Sequence, residues 1–326
     1  MTTVYFVVPC YNEEEVLPET IKRLDMKLKE LIESGKATEQ SRMLFVDDGS
    51  RDKTWEIIEQ NSKDNKYVGG VKLSKNRGHQ NALLSGLMTA KEHCDCAISL
   101  DADLQDDINV IGEFIDKYNE GCEVVYGVRS SREKDTFFKR STARGYYKFM
   151  KALGVDIVYD HADYRLMGKK ALDGLAEYSE VNLFLRGIVP LIGYRSDYVY
   201  YERSERFAGE SKYPLKKMIK FAVDGITSFS VKPLKIISNI GMIICFFSVI
   251  GFIYALVSFF MGSAVAGWAS TMCSIWFLGG LQMLCIGIVG TYVGKIYSEV
   301  KHRPRYIIEK TIINGDSDVY NDRKGQ

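Results

Sequence analysis

The sequence predicts an α/β fold built on a mostly parallel sheet, followed by an amphipathic segment and a hairpin of two membrane-spanning helices. Three observations carry this reading. Short apolar runs of strand length alternate with helix-period stretches up to about Tyr201. Three polar loops, each rich in carboxylates or amides, follow directly on such runs. Charge then vanishes completely between Lys235 and Lys295.

The elements follow in order. Strand-length runs lie at Val4–Pro9, Met43–Asp47, Val68–Leu73, Ala97–Leu100 and Val124–Val128, each with the β-branched content of a buried strand. Between them, helical spacing recurs at Glu14–Ile32, Thr54–Ser62, His79–His93 and Ile108–Asn119. This βαβα order predicts parallel strands with helices on both faces. Ligands of such sheets bind beyond the carboxyl ends of the strands.

Beyond Tyr201 the pattern changes. From Pro214 to Phe229, Leu215, Met218, Ile219, Ala222, Val223, Ile226 and Phe229 recur at helical spacing, with Lys212, Lys216, Lys217 and Lys220 crowding the start and the other face. An ordinary core-facing helix fits that period equally well, but the position ahead of a membrane span favours a helix lying at the membrane surface. Ile236–Met261 and Trp268–Val293 are uncharged and long enough to cross a bilayer, which takes ~20 apolar residues. Trp268 and Tyr292 stand near the ends of the second span, as interfacial aromatics do. Lys232 and Lys235 precede the hairpin and Lys295, Lys301, Arg303 and Arg305 follow it, whereas the turn between the spans has no positive charge. That bias places both termini in the cytosol. The tail after Glu309 is polar and is expected to be partly disordered. The expected division is a catalytic domain over 1–210, a juxtamembrane segment over 211–235, the two spans within 236–297 and a cytosolic tail over 298–326.

Bulk properties exclude some classes. The 326 residues carry a net charge of +1, so there is no basic excess suited to nucleic acid. Seven cysteines show no zinc-site or disulfide-framework spacing and read as free thiols in a reducing compartment. The N-terminus lacks the basic region and cleavage site of a signal peptide, so the catalytic part is expected to stay in the cytosol.

The chemistry resides in the loops. Asp101-Ala102-Asp103-Leu104-Gln105 follows the fourth apolar run. Two carboxylates at that spacing can share one hard cation, which would neutralise a nucleotide-diphosphate leaving group. Such a pair by itself often only caps a helix. Asp47-Asp48-Gly49-Ser50 follows the second run, where a carboxylate can accept from a base N–H or a ribose hydroxyl, or can close an Asx turn. Asn76-Arg77-Gly78-His79 follows the third, with Arg77 suited to a base and His79 read as structural.

Together with Val8-Pro9-Cys10-Tyr11-Asn12-Glu13-Glu14, these segments closely resemble family 2 glycosyltransferases of the GT-A fold. Gly127-Val128-Arg129, Asp163-Tyr164-Arg165-Leu166-Met167, Phe184-Leu185-Arg186-Gly187 and Arg206-Phe207-Ala208-Gly209-Glu210-Ser211-Lys212-Tyr213 narrow the resemblance to the polyprenyl-phosphate branch, in particular the bactoprenol glucosyltransferases, relatives of the dolichol-phosphate mannose synthases. It extends from Thr3 to about Val300. The resemblance implies that Pro9, Tyr11, Glu13, Asp47, Asp48, Arg77 and Asp101 hold the nucleotide sugar. Asp101, Asp103 and Gln105 would bind a divalent metal, Mg2+ or Mn2+, with Asp103 and the proposed base Asp163 as catalytic residues. Arg129, Arg140, Arg203, Arg206, Ser211 and Lys212 would bind the lipid phosphate. Two departures bear on loop shape: Asp106-Asp107-Ile108-Asn109 stands where relatives commonly carry prolines, and His161-Ala162 precedes Asp163 where a glycine is usual.

The implied activity is inverting, metal-dependent transfer of a sugar from a UDP-sugar to undecaprenyl phosphate at the cytosolic leaflet, for cell-envelope glycan modification. Glucose is the first choice of sugar. UDP-GlcNAc, UDP-galactose, GDP-mannose and an aminoarabinose donor stay open. A phosphate acceptor is already ionised near neutral pH, its second pKa being ~6, so a base is less necessary than for a hydroxyl acceptor. The resemblance also implies a homo-oligomer, a tetramer in the family. A processive synthase would need a Gln-x-x-Arg-Trp motif and more spans, both missing here, and a dehydrogenase would need Gly-x-Gly-x-x-Gly after the first strand. A catalytically dead nucleotide-binding scaffold is the rival from another class, and the intact acidic motifs count against it.

Overall fold

The computed structural model describes residues 1–130, 161–202, 227, 230–261, 267–313 and 316–318. The chain divides into two compact units. The first comprises Met1–Tyr147, Ile157–Pro214 and Arg303–Gln326, and the second Lys148–Asp156 and Leu215–His302.

The first unit is built on one sheet. In chain order its elements are β1 (Val4–Cys10), α1 (Leu17–Glu33), β2 (Arg42–Asp47), α2 (Thr54–Asp64), β3 (Val68–Leu73), α3 (His79–Lys91), β4 (Cys96–Ser99), α4 (Ile111–Asn119), β5 (Val124–Arg129), β6 (His161–Gly168), α5 (Lys169–Ala176), α6 (Leu185–Leu191) and β7 (Ser196–Tyr201). Strands β8 (Ile308–Ile313) and β9 (Asp316–Asp318) follow after the second unit. The strand order is β7-β5-β6-β4-β1-β2-β3-β8-β9. β4, β1, β2 and β3 are mutually parallel. β6 runs antiparallel between β4 and β5, and β8 antiparallel to β3.

All five sequence-predicted strands form, and every residue of β1 is buried. Burying apolar side chains such as Val4, Phe6 and Val8 stabilises the unit by about 1.5–3 kcal/mol each. Helix α3 lies against β1 and β2 at Gly86, where a Cβ would stand 2.5 Å from Val7 Cγ1 and 2.6 Å from Val46 Cγ2. Helix α1 starts at Leu17 rather than the expected Glu14, because Glu14 is engaged elsewhere. Its carboxylate accepts from Lys53 N at 3.0 Å and its own N–H donates to Asp52 Oδ2 at 3.1 Å. Pro18 then suits the first turn.

Four strands escaped the sequence reading, the short β9 among them. β6 carries Asp163 and Arg165 inside a buried strand, which breaks the apolar run that would betray it. β7 is an edge strand in which Tyr198 and Tyr200 are exposed and Tyr201 is buried. β8 lies at the start of the polar tail: Ile308–Ile313 pairs with β3, and Ile312 is buried, while residues 319–326 lie outside the described residues. Its isoleucines and Thr311 are strand formers, and β3 offers them an edge.

The second unit contains α7 (Lys232–Phe260) and α8 (Trp268–Val300), of 29 and 33 residues. Both begin or end beyond the uncharged spans, at Lys232 and Val300. Tyr292 Oη donates to the Ser230 carbonyl at 2.6 Å, which ties the chain just before α7 to the last third of α8. Phe277–Val300 is long and apolar enough to cross a membrane and none of it is buried. The predicted amphipathic helix at Pro214–Phe229 lies, but for Thr227, outside the described residues.

Candidate active site

The parallel strands β4, β1, β2 and β3 bring their carboxyl ends to one edge of the sheet. From that edge come, in spatial order, the Asp101–Gln105 loop, the Tyr11–Glu13 loop, Asp47-Asp48 and Arg77. The chain direction of the connections reverses between β4 and β1, which is the switch point where such sheets bind ligands.

The loops are knitted to one another. Asn12 N donates to Ser50 Oγ at 3.0 Å, Glu13 N to Thr54 Oγ1 at 2.9 Å and Arg51 N to Asn12 Oδ1 at 2.9 Å. Asp47 closes its own turn by accepting from Ser50 N at 3.0 Å. Asp48 reaches across to accept from Arg77 N at 2.6 Å and Gly78 N at 2.9 Å. Gly49 is obligatory between them: its φ is +64°, and a Cβ would lie 2.6 Å from backbone atoms of Lys75 and Asn76. Burial raises both carboxyls, and the N–H groups that they accept from oppose the rise.

Asp101 and Asp103 stand at the head of β4. Thr20 of α1 donates to the Ala102 carbonyl at 2.8 Å, and Gln105 N donates to Asp103 Oδ1 at 3.2 Å, which fixes the loop. Burial raises the Asp101 carboxyl, the nearby charges of Asp163 and Asp103 raise it further, and His79 opposes them. Asp106 is pushed up to about 6 by burial and by the charge of Asp101. Its Oδ1 accepts from Tyr201 Oη at 2.6 Å.

Strand β6 runs antiparallel beside β4, pairing Arg165 with Ser99, and continuing that register puts Asp163 opposite Asp101. Ser99 Oγ donates to the Asp163 carbonyl. The Asp163 carboxylate accepts from Arg165 Nη2 at 2.6 Å, from Arg186 Nη2 at 3.1 Å and from Arg186 Nε at 3.3 Å. His79 Nε2 lies 3.5 Å from Asp163 Oδ2 and 3.7 Å from Asp101 Oδ1. Burial alone would raise Asp163, but Arg186, His79 and Arg165 outweigh it and hold the carboxyl well below the usual range. Burial alone would lower His79, and the two carboxylates reverse the sign.

Four polar atoms at this edge are buried without a hydrogen-bond partner among the described residues: Asp47 Oδ2, Arg77 Nε, Asp106 Oδ2 and Arg129 Nε. Buried polar groups are otherwise almost always satisfied, so this concentration marks a place for a polar ligand. A divalent cation fits the donors present. Asp101 and Asp103 repel each other in a partly buried loop, and two carboxylates completed by phosphate oxygens and water are how Mg2+-type ions are commonly held. Among the described residues no third His, Cys, Asp or Glu joins them as a ligand.

The sequence-predicted residues Pro9, Tyr11, Glu13, Asp47, Asp48, Arg77, Asp101, Asp103, Gln105, Arg129 and Asp163 all occur on strands or loops that end at this edge. Arg140, Arg203, Arg206, Ser211 and Lys212 lie outside the described residues. Sequence reasoning assigned no role to Arg165, Arg186, Asp106 or Tyr201. Only the Asp163–Arg165 spacing carried a signal, since residues two apart on a strand share a face.

Residues 5–175 match the family described as glycosyl transferase family 2. The chain is 55% identical over 317 residues to an uncharacterized glycosyltransferase, YkoT, of Bacillus subtilis (strain 168), covering 97% of this chain and 92% of that one. It is 37% identical over 313 residues to the SfII prophage-derived bactoprenol glucosyl transferase of Shigella flexneri, covering 94% and 98%. Among solved structures it is similar to glucosyl-3-phosphoglycerate synthase from Mycobacterium tuberculosis in complex with Mn2+, UDP-glucose and phosphoglyceric acid, with a TM-score of 0.45 and 15% identity over 69% of this chain and 78% of that one. The family match, the near-full-length relatives and the mostly parallel sheet with its acidic edge agree: the chain is a glycosyltransferase with a GT-A-like α/β domain, and it belongs to glycosyl transferase family 2.

Proposed function

We propose that this enzyme transfers glucose from UDP-glucose to undecaprenyl phosphate, with inversion, at the cytosolic face of a membrane. The observation that carries the reading is the meeting of Asp101 and Asp103 with Asp47, Asp48 and Arg77 at one sheet edge, where buried polar atoms await a ligand. The choice of glucose and of the lipid is supported by the relatives named bactoprenol glucosyl transferase.

In this reading Pro9, Tyr11, Glu13, Asp47, Asp48 and Arg77 take the nucleotide. Asp101, Asp103 and Gln105 would hold a divalent cation, Mg2+ or Mn2+, which supplies neutralisation of the charge that develops on the departing diphosphate. A phosphate oxygen of the lipid forms the new bond to the anomeric carbon as the bond to UDP breaks. Arg129, with Arg140, Arg203, Arg206, Ser211 and Lys212, holds that phosphate, since guanidinium groups match phosphate in bidentate fashion. The acceptor arrives ionised, and Asp163 is itself an acceptor for two guanidinium groups, so the transfer does not depend on Asp163 removing a proton. Helices α7 and α8 cross the membrane as a pair, an assignment supported by β8, which follows α8 and joins the sheet that precedes α7.

The test is an assay of purified full-length protein with labelled UDP-glucose, UDP-GlcNAc, UDP-galactose and GDP-mannose, each with undecaprenyl phosphate. A chloroform-soluble product with UDP-glucose is the expected result. Product from another donor alone replaces the sugar, and no product from any of them refutes the reading.

A further inference from the structure

Tyr201 closes β7 and stands beside Arg129, the last residue of β5, in a parallel register that sets the two side chains on one face. β5 runs antiparallel to β6, and β6 antiparallel to β4, so β5 and β7 end at the same edge as the Asp101–Gln105 loop. Asp106, the residue after Gln105, completes a chain of polar contacts there. The Tyr201 hydroxyl donates to Asp106 Oδ1 at 2.6 Å, and the Arg129 guanidinium donates to that hydroxyl. A phenol suits the middle place, because it accepts and donates at once. Arg129, Tyr201 and Asp106 thus form one line from β5 to the loop that carries the paired carboxylates.

Tyr201 is the fixed member of the line. Both it and Asp106 are buried, and its ring meets the Tyr164 ring edge-on with centroids 5.2 Å apart. Tyr164 is itself tied by its hydroxyl to the Asp107 carbonyl at 3.0 Å. Gly127 leaves room for both rings: a Cβ there would lie 2.9 Å from Tyr164 Cδ1 and 3.2 Å from Tyr201 Cε1. Ser130 N and Ser130 Oγ hold the Tyr201 carbonyl at 2.9 and 3.0 Å. Arg129 is different. It is only half-buried and ends a long flexible stem. Freezing such a stem costs up to about 2 kcal/mol of rotamer entropy, and a guanidinium already held by a fixed hydroxyl has lost part of that freedom before a ligand arrives.

We infer that Tyr201 is a positioning residue for the acceptor: its hydroxyl, anchored on Asp106, holds the Arg129 guanidinium in the orientation that receives the lipid phosphate. The inference rests on the transfer reading above, in which Arg129 takes part in holding that phosphate. It gives a role in acceptor binding to two buried side chains that themselves touch no substrate.

The experiment compares wild type, Tyr201→Phe, Asp106→Ala, Asp106→Asn, Arg129→Gln and the Tyr201→Phe/Arg129→Gln double variant, as full-length protein, in KM and kcat for UDP-glucose and undecaprenyl phosphate. Tyr201→Phe removes the hydroxyl and keeps the ring against Tyr164 and Gly127, so the fold survives. It is expected to raise KM for undecaprenyl phosphate about fivefold, the worth of one hydrogen bond, and to leave KM for UDP-glucose within about twofold. Arg129→Gln raises the same KM further, and the double variant is no worse than Arg129→Gln alone, because Tyr201 acts through Arg129. Asp106→Ala raises that KM too. Asp106→Asn recovers part of the loss, since its amide oxygen still accepts from Tyr201.

Three results overturn the inference. One is a Tyr201→Phe variant with KM for undecaprenyl phosphate within about twofold of wild type, which leaves the line a purely structural staple. Another is a rise confined to UDP-glucose. The third is a double variant in which the two losses multiply, since Tyr201 would then act independently of Arg129. Wild-type turnover checks the transfer reading separately. If no donor gives a lipid-linked product, that reading fails by itself, and calorimetric affinity for farnesyl phosphate replaces KM. Weaker binding in Tyr201→Phe than in wild type then supports the inference, and equal binding or none in wild type overturns it.

Discussion

A carboxylate that accepts hydrogen bonds from two guanidinium groups holds a proton poorly, and Asp163 is in that position. Its folded carboxyl lies well below the ordinary range although burial works the other way, because Arg186, His79 and Arg165 together outweigh burial. The sign follows from linkage. A depressed folded value stabilises the fold fully above the unfolded value of about 4, and the gain is lost as pH falls through the folded value. Acid unfolding of the wild type should therefore steepen below about pH 4, and Asp163→Asn should flatten that part of a stability–pH curve. At neutral pH the same substitution leaves Arg165 buried without its anion, at a cost of about 3–5 kcal/mol, readable by urea unfolding at pH 7. A variant as stable as wild type at pH 7 would mean that the pair contributes nothing. Asp103 makes the contrasting case. In the proposed reading its value lies in the cation that it would help to hold, so Asp103→Asn should lower metal-dependent turnover by roughly a hundredfold or more with little change in melting temperature. Near-normal turnover would place the cation elsewhere.

At the scale of the element, what was legible depended on where side chains point. β1 to β5 were readable because a buried parallel strand is a continuous apolar run, and the loops after them were readable because several polar loops follow such runs at one edge, although Asp47 also closes its own turn. β6 hid because it serves the site: Asp163 and Arg165 satisfy each other in the interior, so the strand does not look apolar. Arg186 hid because its meaning comes from Asp163 of β6, twenty-three residues earlier in the chain. β8 hid because its partner is β3, more than two hundred residues away, and a six-residue strand far from its partner has no local signature. That pairing is nevertheless specific. Ile312 faces Gly70 in register and is buried, Lys72 Nζ meets Glu309 Oε1 at 3.2 Å, and Arg305 Nη1 donates to the Tyr178 carbonyl at 2.7 Å. Ile312→Ala should cost the catalytic unit about 2–3 kcal/mol by urea unfolding followed by circular dichroism. A loss below about 0.5 kcal/mol, the usual range for surface substitutions, would show that β8 is not held against the sheet.

At the scale of the whole molecule, the return of β8 limits how the chain can cross a membrane. β1 to β7 precede α7, β8 follows α8, and both groups hydrogen-bond into one sheet. A sheet cannot straddle a bilayer with an irregular connection, because unpaired backbone groups in lipid cost several kcal/mol each. Under the proposed membrane arrangement, the strands that precede α7 and those that follow α8 then share one side, so the number of crossings between them is even. If α8 crosses, α7 crosses as well. Both are long enough, since 29 and 33 helical residues reach about 44 and 50 Å at 1.5 Å per residue against a hydrocarbon core of about 30 Å. In the proposed reading, the positive charge of Lys232 and Lys235 at one end and of Lys295 and Lys301 at the other favours the cytosolic side for the sheet. The prediction is a fluorescent protein fused after residue 326 that fluoresces in the cytosol, together with alkaline phosphatase inserted within residues 262–266 that is active outside it. A fusion after residue 326 found outside the cytosol, with the N-terminus inside, would require an odd number of crossings. In that case β8 could not reach β3, and the same result would remove both the hairpin and the strand pairing from which it is deduced.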